Sequence, residues 1–413
     1  MQRRQFLKKL ALSSAAMGLW TSGTPFVFSV KSAHAAQGKV LINIFQRGGC
    51  DGLNAVVPFG EDRYYELRPT IAIARPDSGE SGAALNLDGF FGLHPSMSGL
   101  HSMFQQGQLA IMPATHYPDG SRSHFDSQHF IESGQRVRSN SGWMNRHLAT
   151  HSHTADVRAL SVGSELVHAM RGDISVSTLS NFNSLGFRVD ENEEAELLAR
   201  LSKVYEHPAS ELANHQLLHS YGQQMLEDVN ILKDIGEQPY SVENGANYPN
   251  SRFGQELRML AQIIKSDVGL ELANINIGGW DTHSNQGGAT GRQASRLQDL
   301  SDGLTAFYTD LGARSINVAT VVGTEFGRTS QENGSRGTDH GYASNWMVIG
   351  GGVSGGIYGQ WPGLNEAQLH HGRYLAMATD YRDIYADVLS GFLGNHQIAE
   401  VLPSHVHNPI GLF

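Results

Sequence analysis

Four polar, glycine-flanked clusters have the residue types of a metal site, and each one follows an apolar run that predicts a buried strand. Carboxylate oxygens and imidazole nitrogens together form a good ligand set for Zn²⁺ or Mn²⁺. Each cluster alone is weak, because an Asp before Gly is usually a turn former. In chain order they are "RGGCDGLN" with Asp51, "DGSRSHFDSQ" with Ser121, Arg122, Ser123 and His124, "GWDTHSNQ" with Asp281 and His283, and residues 324–346 with Glu325, Arg328, Asp339 and His340.

The elements that must position these clusters alternate between strand and helix. The runs "KVLINIFQ", "LAIMPA", "LELANINIGG" and "INVATVV" predict strands, and helical spacing occurs at 93–107, 251–266, 292–312 and 380–394. This alternation predicts an α/β fold with a mainly parallel central sheet and helices on both faces. In such sheets, ligands bind beyond the carboxyl ends of the strands, so we expect the four clusters to converge in one crevice.

The sequence therefore predicts a divalent metal site in that crevice, with Zn²⁺ or Mn²⁺ favoured and Mg²⁺ or Ca²⁺ as alternatives. We expect Gly337 and Gly341 to permit the backbone turns that bring neighbouring side chains to one ion. Replacement of Asp339 is expected to weaken metal binding more than replacement of His340, because it also removes a charge. The predicted ligands are Asp51, Asp281, His283, Asp339 and His340.

Two segments are predicted to stand apart from this sheet. Residues 1–35 begin with Arg3 and Arg4, continue with an apolar stretch and end in "AHA", the order of a twin-arginine signal peptide. We therefore expect export to the periplasm or beyond, through the twin-arginine machinery, and a mature domain of residues 36–413. Residues 190–236 are rich in Glu, Leu, Ala and Gln, which predicts a helical insert of two or more amphipathic helices.

Charge and cysteine content exclude several classes of protein. Removal of the five basic residues of the signal peptide leaves 25 basic and 40 acidic residues, a net charge of −15. An acidic surface argues against nucleic acid as a partner. No later apolar run approaches the ~20 residues that cross a bilayer, so no stable membrane anchor is expected. The single cysteine, Cys50, forms no internal disulfide and is expected to be a buried apolar residue.

The chain resembles an exported family called domain of unknown function 1501, within the alkaline-phosphatase-like and sulfatase-like superfamily. The resemblance is carried by "RGGCDGLNAVVPFGEDRYYELRPTIAI", "SRSHFDSQHFIESG", "GWDTHSNQ", "TEFGRT" and "GTDHGYASNWMVIGGGVSGG", in order along most of the mature chain. It implies an Asp after the first strand, an alkoxide nucleophile at a helix start and two Asp/His pairs. Asp51 and Ser123 take the first two positions in this sequence, with Ser121 as the alternative nucleophile.

The expected function is hydrolysis of phosphate or sulfate esters. A Ser at a helix N-terminus gains from backbone donors and the helix dipole, which favour an anion there. Arg328 or Arg122 would hold the anionic group by two hydrogen bonds. The alternative is a non-catalytic exported protein that binds an anionic glycan or an envelope partner on the same fold.

Overall fold

A computed structural model describes residues 38–153, 155–185, 191–205 and 213–413. The predicted signal peptide, residues 1–35, lies outside the described residues. These described residues group together as one structural unit. Among the described residues, no helix combines the length and apolar character needed to span a membrane.

The centre of the fold is a nine-stranded sheet. Its strands are β1 (Val40–Arg47), β5 (Leu109–His116), β6 (Ala159–Val162), β7 (Ser177–Leu179), β8 (Leu272–Gly278), β9 (Val318–Thr324), β10 (Ser344–Gly350), β11 (Gly356–Ile357) and β12 (Thr379–Asp380). They are arranged in the order β11-β5-β10-β9-β1-β8-β6-β7, with β12 beside β5. Three short strands, β2 (Val56–Val57), β3 (Leu85–Asn86) and β4 (Gly92–Leu93), form a separate small sheet.

The predicted mainly parallel sheet is confirmed, with β10 as the exception. β1 pairs in parallel with β8 and β9, and β6 pairs in parallel with β7 and β8. β10 runs antiparallel to both β5 and β9. A parallel neighbour needs a crossover connection, usually a helix, whereas β10 follows β9 through loop 325–343 alone. That loop folds back at the sheet edge, so it carries its polar residues out and back past the end of β9.

Helices cover both faces of the sheet, as predicted. They are α1 (Gly52–Ala55), α2 (Asp62–Leu67), α3 (Ser98–Gln105), α4 (His124–Ser133), α5 (Trp143–Thr150), α6 (Glu191–Val204), α7 (Ala213–Glu237), α8 (Arg252–Lys265), α9 (Arg292–Leu311), α10 (Tyr381–Asp387) and α11 (Ile398–Val401). Helices α6 and α7 occupy the range predicted as a helical insert. Short 3₁₀ or π turns lie at Pro95–Met97, His168–Met170, Phe182–Ser184, Gly312–Asn317, Glu366–Gln368 and Val388–Leu393.

Strand β1 shows why the sheet needs helices on both sides. Its side chains alternate between two faces, as the twofold period of a strand requires. Ile42 and Ile44 join a core with α3, α8 and α9, whereas Leu41 and Phe45 join a second core with α5 and α10. Both faces are buried and mostly apolar, and the mid-strand Asn43 is satisfied by Asn274 of β8, so the charged residues of this region are confined to the strand ends. That confinement places the candidate site.

Candidate metal centre

A cluster of three imidazoles and one carboxylate lies at the carboxyl edge of the sheet. Strand β8 leads through a short glycine-containing turn to Asp281 and His283. The loop after β9 supplies His340, and the chain after β5 supplies His124 as the first residue of α4. Ligand atoms of His124, Asp281 and His340 lie within 4.8 Å of one another. Three of the four predicted clusters therefore meet around Asp281.

The inner atoms of this centre are the Nε2 nitrogens and the Asp281 carboxylate. His283 Nε2 lies 3.0 Å from Asp281 Oδ1 and 3.1 Å from His340 Nε2. His340 Nε2 lies 3.3 Å from the same oxygen, and His124 Nε2 lies 3.7 Å from Asp281 Oδ2. Ligands of a tetrahedral Zn²⁺ with bonds of about 2.0–2.1 Å stand roughly 3.3 Å apart. The separations among Asp281, His283 and His340 fit that spacing, whereas His124 stands farther out and forms the 4.8 Å group with Asp281 and His340 alone.

The outer nitrogen of each ring, Nδ1, faces an oxygen that only accepts hydrogen bonds. The three pairs are His124 with Glu325 Oε1 at 2.8 Å, His283 with Asp339 Oδ1 at 2.9 Å, and His340 with the Arg122 carbonyl at 2.9 Å. In a neutral ring, Nδ1 therefore carries the proton and Nε2 presents a lone pair. The hydrogen bond to Glu325 also raises the pKa of His124. Outer partners of this kind orient metal-binding histidines in proteins.

Lone pairs that converge without a cation or a proton repel one another. His283 Nε2 and His340 Nε2 are at hydrogen-bond distance, yet both nitrogens are acceptors in the neutral rings. Asp281 adds a carboxylate to the same point. Burial lowers the pKa of His340, which favours its neutral form. Within the described residues, this acceptor set is therefore suited to a divalent cation bound by nitrogen and oxygen ligands.

Arg328 fixes the carboxylate of the centre rather than facing solvent. Its side chain is fully buried and donates to Asp281 Oδ1 at 2.6 Å. The rest of the guanidinium donates to the carbonyls of Gly48, Gly49 and Trp280 and, through Nη1, to that of Thr338. Burial raises the pKa of Asp281, but the hydrogen bond and charge of Arg328 outweigh it and lower that pKa overall. The ionised carboxylate is therefore held in place.

Glu325 and Phe326 complete the wall behind the imidazoles. Burial raises the pKa of Glu325, but hydrogen bonds from His124, Gln128 and the Gly48 amide lower it overall, so this fully buried carboxylate is ionised. The Phe326 ring lies 4.9 Å from the centroids of His124 and His340. The Glu325 carboxylate and the Phe326 ring thus restrict the orientation of the His124 and His340 imidazoles on the side away from the metal centre.

Asp51 lies outside this inner set. Its two oxygens accept from Arg68 at 2.6 and 2.9 Å, and Oδ2 also accepts from Gln286 at 2.6 Å. Both Asp51 and Arg68 are buried. Gln286 in turn accepts from the hydroxyls of Thr282 and Thr338, which neighbour Asp281 and Asp339 in sequence. Asp51 therefore supports the two ligand-bearing loops from below, through Gln286.

Asp339 and His340 contact opposite nitrogens of one ring. Asp339 faces His283 Nδ1, and His340 faces His283 Nε2, so only His340 joins the inner set. Gly337 and Gly341 matter for a reason other than the predicted one. Neither has a positive φ. A Cβ would lie 2.5 Å from the His283 backbone at Gly337 and 2.2 Å from the Arg328 carbonyl at Gly341. Close approach of the loops, rather than left-handed backbone, requires glycine there.

The serines and Arg122 lie beside the centre. Ser123 is the N-cap residue of α4, and its hydroxyl makes no capping hydrogen bond. Ser121 Oγ instead accepts from the Ser123 amide at 3.0 Å. Arg122 is exposed, donates to the Tyr374 hydroxyl and lies 4.9 Å from the centroid of that ring. The Ser123 hydroxyl thus makes fewer hydrogen bonds than that of Ser121, and the Arg122 guanidinium is more accessible than that of Arg328.

Sequence reasoning did not assign His124 as a ligand. This histidine stands beside Ser123 at a helix start, where the serine is the expected functional residue. A usable signal was the "SRSHFDSQ" stretch itself, whose polar residues follow β5 just as the other clusters follow their strands. The role of Arg68 as the partner of Asp51 has no signal in the local sequence, because the two residues meet only through tertiary packing.

Comparisons with solved structures found matches at low sequence identity and low TM-score. The C-terminal periplasmic domain of EcEptC from Escherichia coli, solved in complex with Zn, is 7% identical over 76% of this chain and 74% of that chain, with a TM-score of 0.33. Alkaline phosphatase from the Antarctic bacterium TAB5 is 8% identical over 90% of this chain and all of that chain, with a TM-score of 0.32. A 2-O GAG sulfatase is 12% identical over 78% of this chain and 65% of that chain, with a TM-score of 0.28.

No curated protein matched the chain. The profile of the family described as "Protein of unknown function (DUF1501)" matches residues 38–402, which is most of the sequence. The chain belongs to this family.

Proposed function

We propose that this protein is an exported, metal-dependent hydrolase of phosphate or sulfate esters. The observation that carries the proposal is the convergence of the His283 and His340 Nε2 atoms with the Asp281 carboxylate at a sheet edge, with His124 Nε2 3.7 Å from that carboxylate. In the neutral rings the Nε2 atoms of His283 and His340 face each other with no donor between them, while Asp281 Oδ1 beside them also accepts from Arg328. The twin-arginine pattern of residues 1–35 supports export.

In this proposal His124, Asp281, His283 and His340 bind the cation. Asp339 serves as the outer partner of His283, and Asp51 serves as the support of the loops. A bound divalent cation supplies Lewis acidity, which stabilises negative charge on an ester oxygen. The set of three nitrogens and one oxygen favours Zn²⁺ or Mn²⁺ over Mg²⁺ or Ca²⁺.

The remaining roles fall to residues at the start of α4. The Ser123 hydroxyl is the proposed nucleophile, because it is free of a capping bond and precedes a ten-residue helix whose N-terminus favours an anion. Arg122 is the proposed partner of the anionic group, because its guanidinium is exposed beside the centre. Arg328 positions Asp281 instead, since its donors are occupied by backbone carbonyls and that carboxylate.

One observation favours the non-catalytic alternative, a binding protein for an anionic glycan or envelope partner. The superfamily resemblance gives Asp51 a metal-binding role, but Asp51 is bound to Arg68 through both oxygens. A permanent guanidinium charge thus lies on the carboxylate that would support a second cation. A chain that binds one ion without turnover would fit this arrangement.

Metal analysis and hydrolysis assays test the two functions together. The protein is purified from its native host, its bound metals are quantified, and hydrolysis of p-nitrophenyl phosphate and p-nitrophenyl sulfate is measured. We expect about one divalent cation per chain and hydrolysis of one ester that is lost on chelation. Ser123→Ala should abolish turnover and retain the metal, whereas Ser121→Ala should retain both. A metal-loaded chain that hydrolyses neither ester would establish the binding alternative, and a chain without metal affinity would overturn both.

A further inference from the structure

A second feature of the same sheet edge is a cavity of about 410 Å³ beside the metal centre. Its floor is made by the carboxyl ends of β1, β6 and β8, which are neighbours in the sheet. Arg47 ends β1, Gly163 follows β6, and Gly278 ends β8. The starts of α8 and α9 form its walls, through Arg252 and Arg296. A cavity of this size accommodates a small organic ligand.

The cavity and the metal centre are connected by residues at the carboxyl end of β1. Arg47 lines the cavity, and the next residue, Gly48, donates its amide to Glu325 Oε1 at 2.8 Å. Gln128 links the two from the other side, because it accepts from Arg47 at 3.1 Å and donates to Glu325 at 3.0 Å. A molecule with an ester group at the centre would therefore extend its remaining part toward this cavity.

The lining combines free donors and free acceptors with little net charge. Arg47 is already paired with Glu132, and Arg252 with Glu256. Arg296 forms no ion pair among the described residues. The groups left to face a ligand are the Arg296 guanidinium, the Ser164 hydroxyl, the Glu165 carboxylate, the Asn276 amide nitrogen and the second oxygen of Asp299. Asn276 Oδ1 already accepts from Arg47 at 3.2 Å, and Asp299 Oδ1 accepts from Ser251 at 2.6 Å.

This pattern suits hydroxyl groups, which both donate and accept hydrogen bonds. A second anionic group would meet the Glu165 and Asp299 carboxylates, so the pattern disfavours a polyanion. Val162, Ile277 and Phe253 also line the cavity, and although they are only 3%, 4% and 3% exposed, they make part of its wall apolar, as the C–H faces of a sugar ring require. A sugar combines both properties.

We infer that this cavity binds the sugar portion of the substrate, so that the esters hydrolysed at the centre are neutral sugars bearing one phosphate or sulfate. The inference rests on the proposed function for its biological meaning, but sugar binding itself needs no metal. Binding of the sugar and binding of the cation are therefore separable properties of the chain.

Gly278 offers a direct way to fill the cavity. It lines the space, its φ is not positive, and a Cβ built there would meet no atom within 4 Å. A large side chain at this position thus extends into open space without backbone strain. Gly278→Ala is the matched control, because it adds the Cβ while leaving the cavity open.

The experiment is saturation-transfer NMR of methyl β-glucoside, methyl β-galactoside and N-acetylglucosamine against the full mature chain, with metal and with EDTA. We expect at least one sugar to bind under both conditions. Gly278→Phe should raise its Kd more than tenfold, and Gly278→Ala should leave it unchanged. Arg296→Gln should raise the Kd, whereas Arg292→Gln, on the same helix but outside the cavity, should not.

Absence of binding by all three sugars, or equal binding by Gly278→Phe, would overturn the inference. So would binding of glucuronate without binding of the neutral sugars. Each of these results leaves the metal centre and hydrolysis of the p-nitrophenyl esters untouched, so failure of the cavity is distinguishable from failure of the proposed function.

Discussion

Strand β8 is flanked by a histidine–carboxylate cluster at each end, and the two clusters use the same residue types in opposite ways. Before its first residue, Glu271 meets His147 of α5 and His151, which directly follows that helix. Beyond its last residue, Asp281 meets His283 and its neighbours in the metal centre. Both groups have the composition of a metal site. The hydrogen bonds around them separate the two.

In the Glu271 cluster every acceptor meets a donor. Asn395 Oδ1 accepts from the Gln397 amide, which fixes its side chain so that Nδ2 donates to His147 Nδ1 at 3.0 Å. His147 Nε2 must then carry the proton, and it donates to Glu271 Oε1 at 3.0 Å. Arg158 donates to the other oxygen at 2.6 Å. This cluster is satisfied by the protein alone.

The comparison teaches that the outer partner of a histidine decides what its inner nitrogen does. An amide donor on the outer side turns the inner nitrogen into a donor, as at His147. Oxygen acceptors on the outer side, such as Glu325 and Asp339, turn the inner nitrogens of His124 and His283 into acceptors. The number of His and Glu residues in a cluster is therefore not enough to identify a metal site. The groups that hydrogen-bond to the outer nitrogens, as donors or as acceptors, distinguish the two clusters.

The largest expected effect comes from removing one inner ligand of the metal centre. We expect His340→Ala to lower Zn²⁺ affinity by more than about 100-fold, because outer partners alone are worth 10–100-fold. Asp339→Asn should cost less, which reverses the order expected from the sequence, since Asp339 is an outer partner. Competition with a chromophoric chelator measures both affinities. His151→Ala, in the Glu271 cluster, is the matched control and should leave the Zn²⁺ affinity unchanged. An equal loss of affinity in this variant would contradict the distinction between the two clusters.

Glu271→Gln should instead reduce stability. Burial raises the pKa of Glu271, but hydrogen bonds from His147 and Arg158 and the charge of Arg158 lower it from 4.5 to about 2. A carboxylate with a lowered pKa contributes stability that is complete above pH 4.5 and is lost as the pH falls toward 2. That pKa difference corresponds to about 3 kcal/mol.

Urea unfolding of both chains at pH 7, 4 and 3 measures this contribution. The gap in free energy of unfolding between the two chains should be largest at pH 7 and shrink at pH 4 and again at pH 3. A gap that stays constant with pH would show that Glu271 acts by shape rather than by charge.

Much of the arrangement is predictable from the sequence because the strands are mostly apolar runs whose charged residues are confined to the ends. The runs that form β1, β8 and β9 are mostly apolar on both faces, which is why they predict a parallel sheet. Asp281, His283 and His340 follow two of these runs, so their convergence follows from topology alone.

The division into inner and outer residues is not predictable in this way. Asp51 and Asp281 occupy similar positions after neighbouring strands, yet only Asp51 meets Arg68, a residue brought to it by tertiary packing. Likewise the donor that satisfies His147 comes from Asn395, 248 residues away. Hydrogen-bond polarity between distant segments leaves no periodic signal in the sequence, so the role of each carboxylate emerges only in three dimensions.

The smallest expected effect is also the sharpest test of the comparison, and it changes one outer partner. Asn395→Asp replaces the amide donor at His147 Nδ1 with an acceptor of the same shape. Nδ1 must then donate, so Nε2 of the neutral ring presents a lone pair to Glu271 at 3.0 Å. We expect a loss of about 1–3 kcal/mol at pH 8, the usual cost of a buried group left unsatisfied.

Zn²⁺ should restore part of that loss, because the altered cluster now resembles the acceptor set of the metal centre. Both chains in this experiment carry His340→Ala, so that the original centre does not mask the response. Thermal unfolding with and without Zn²⁺ is compared between His340→Ala and the His340→Ala/Asn395→Asp pair, and only the pair should gain in Tm. If the double variant matches His340→Ala in both stability and response to Zn²⁺, then the polarity of the outer partner does not determine whether a histidine cluster binds metal. The difference between the clusters at the two ends of β8 must then come from solvent access.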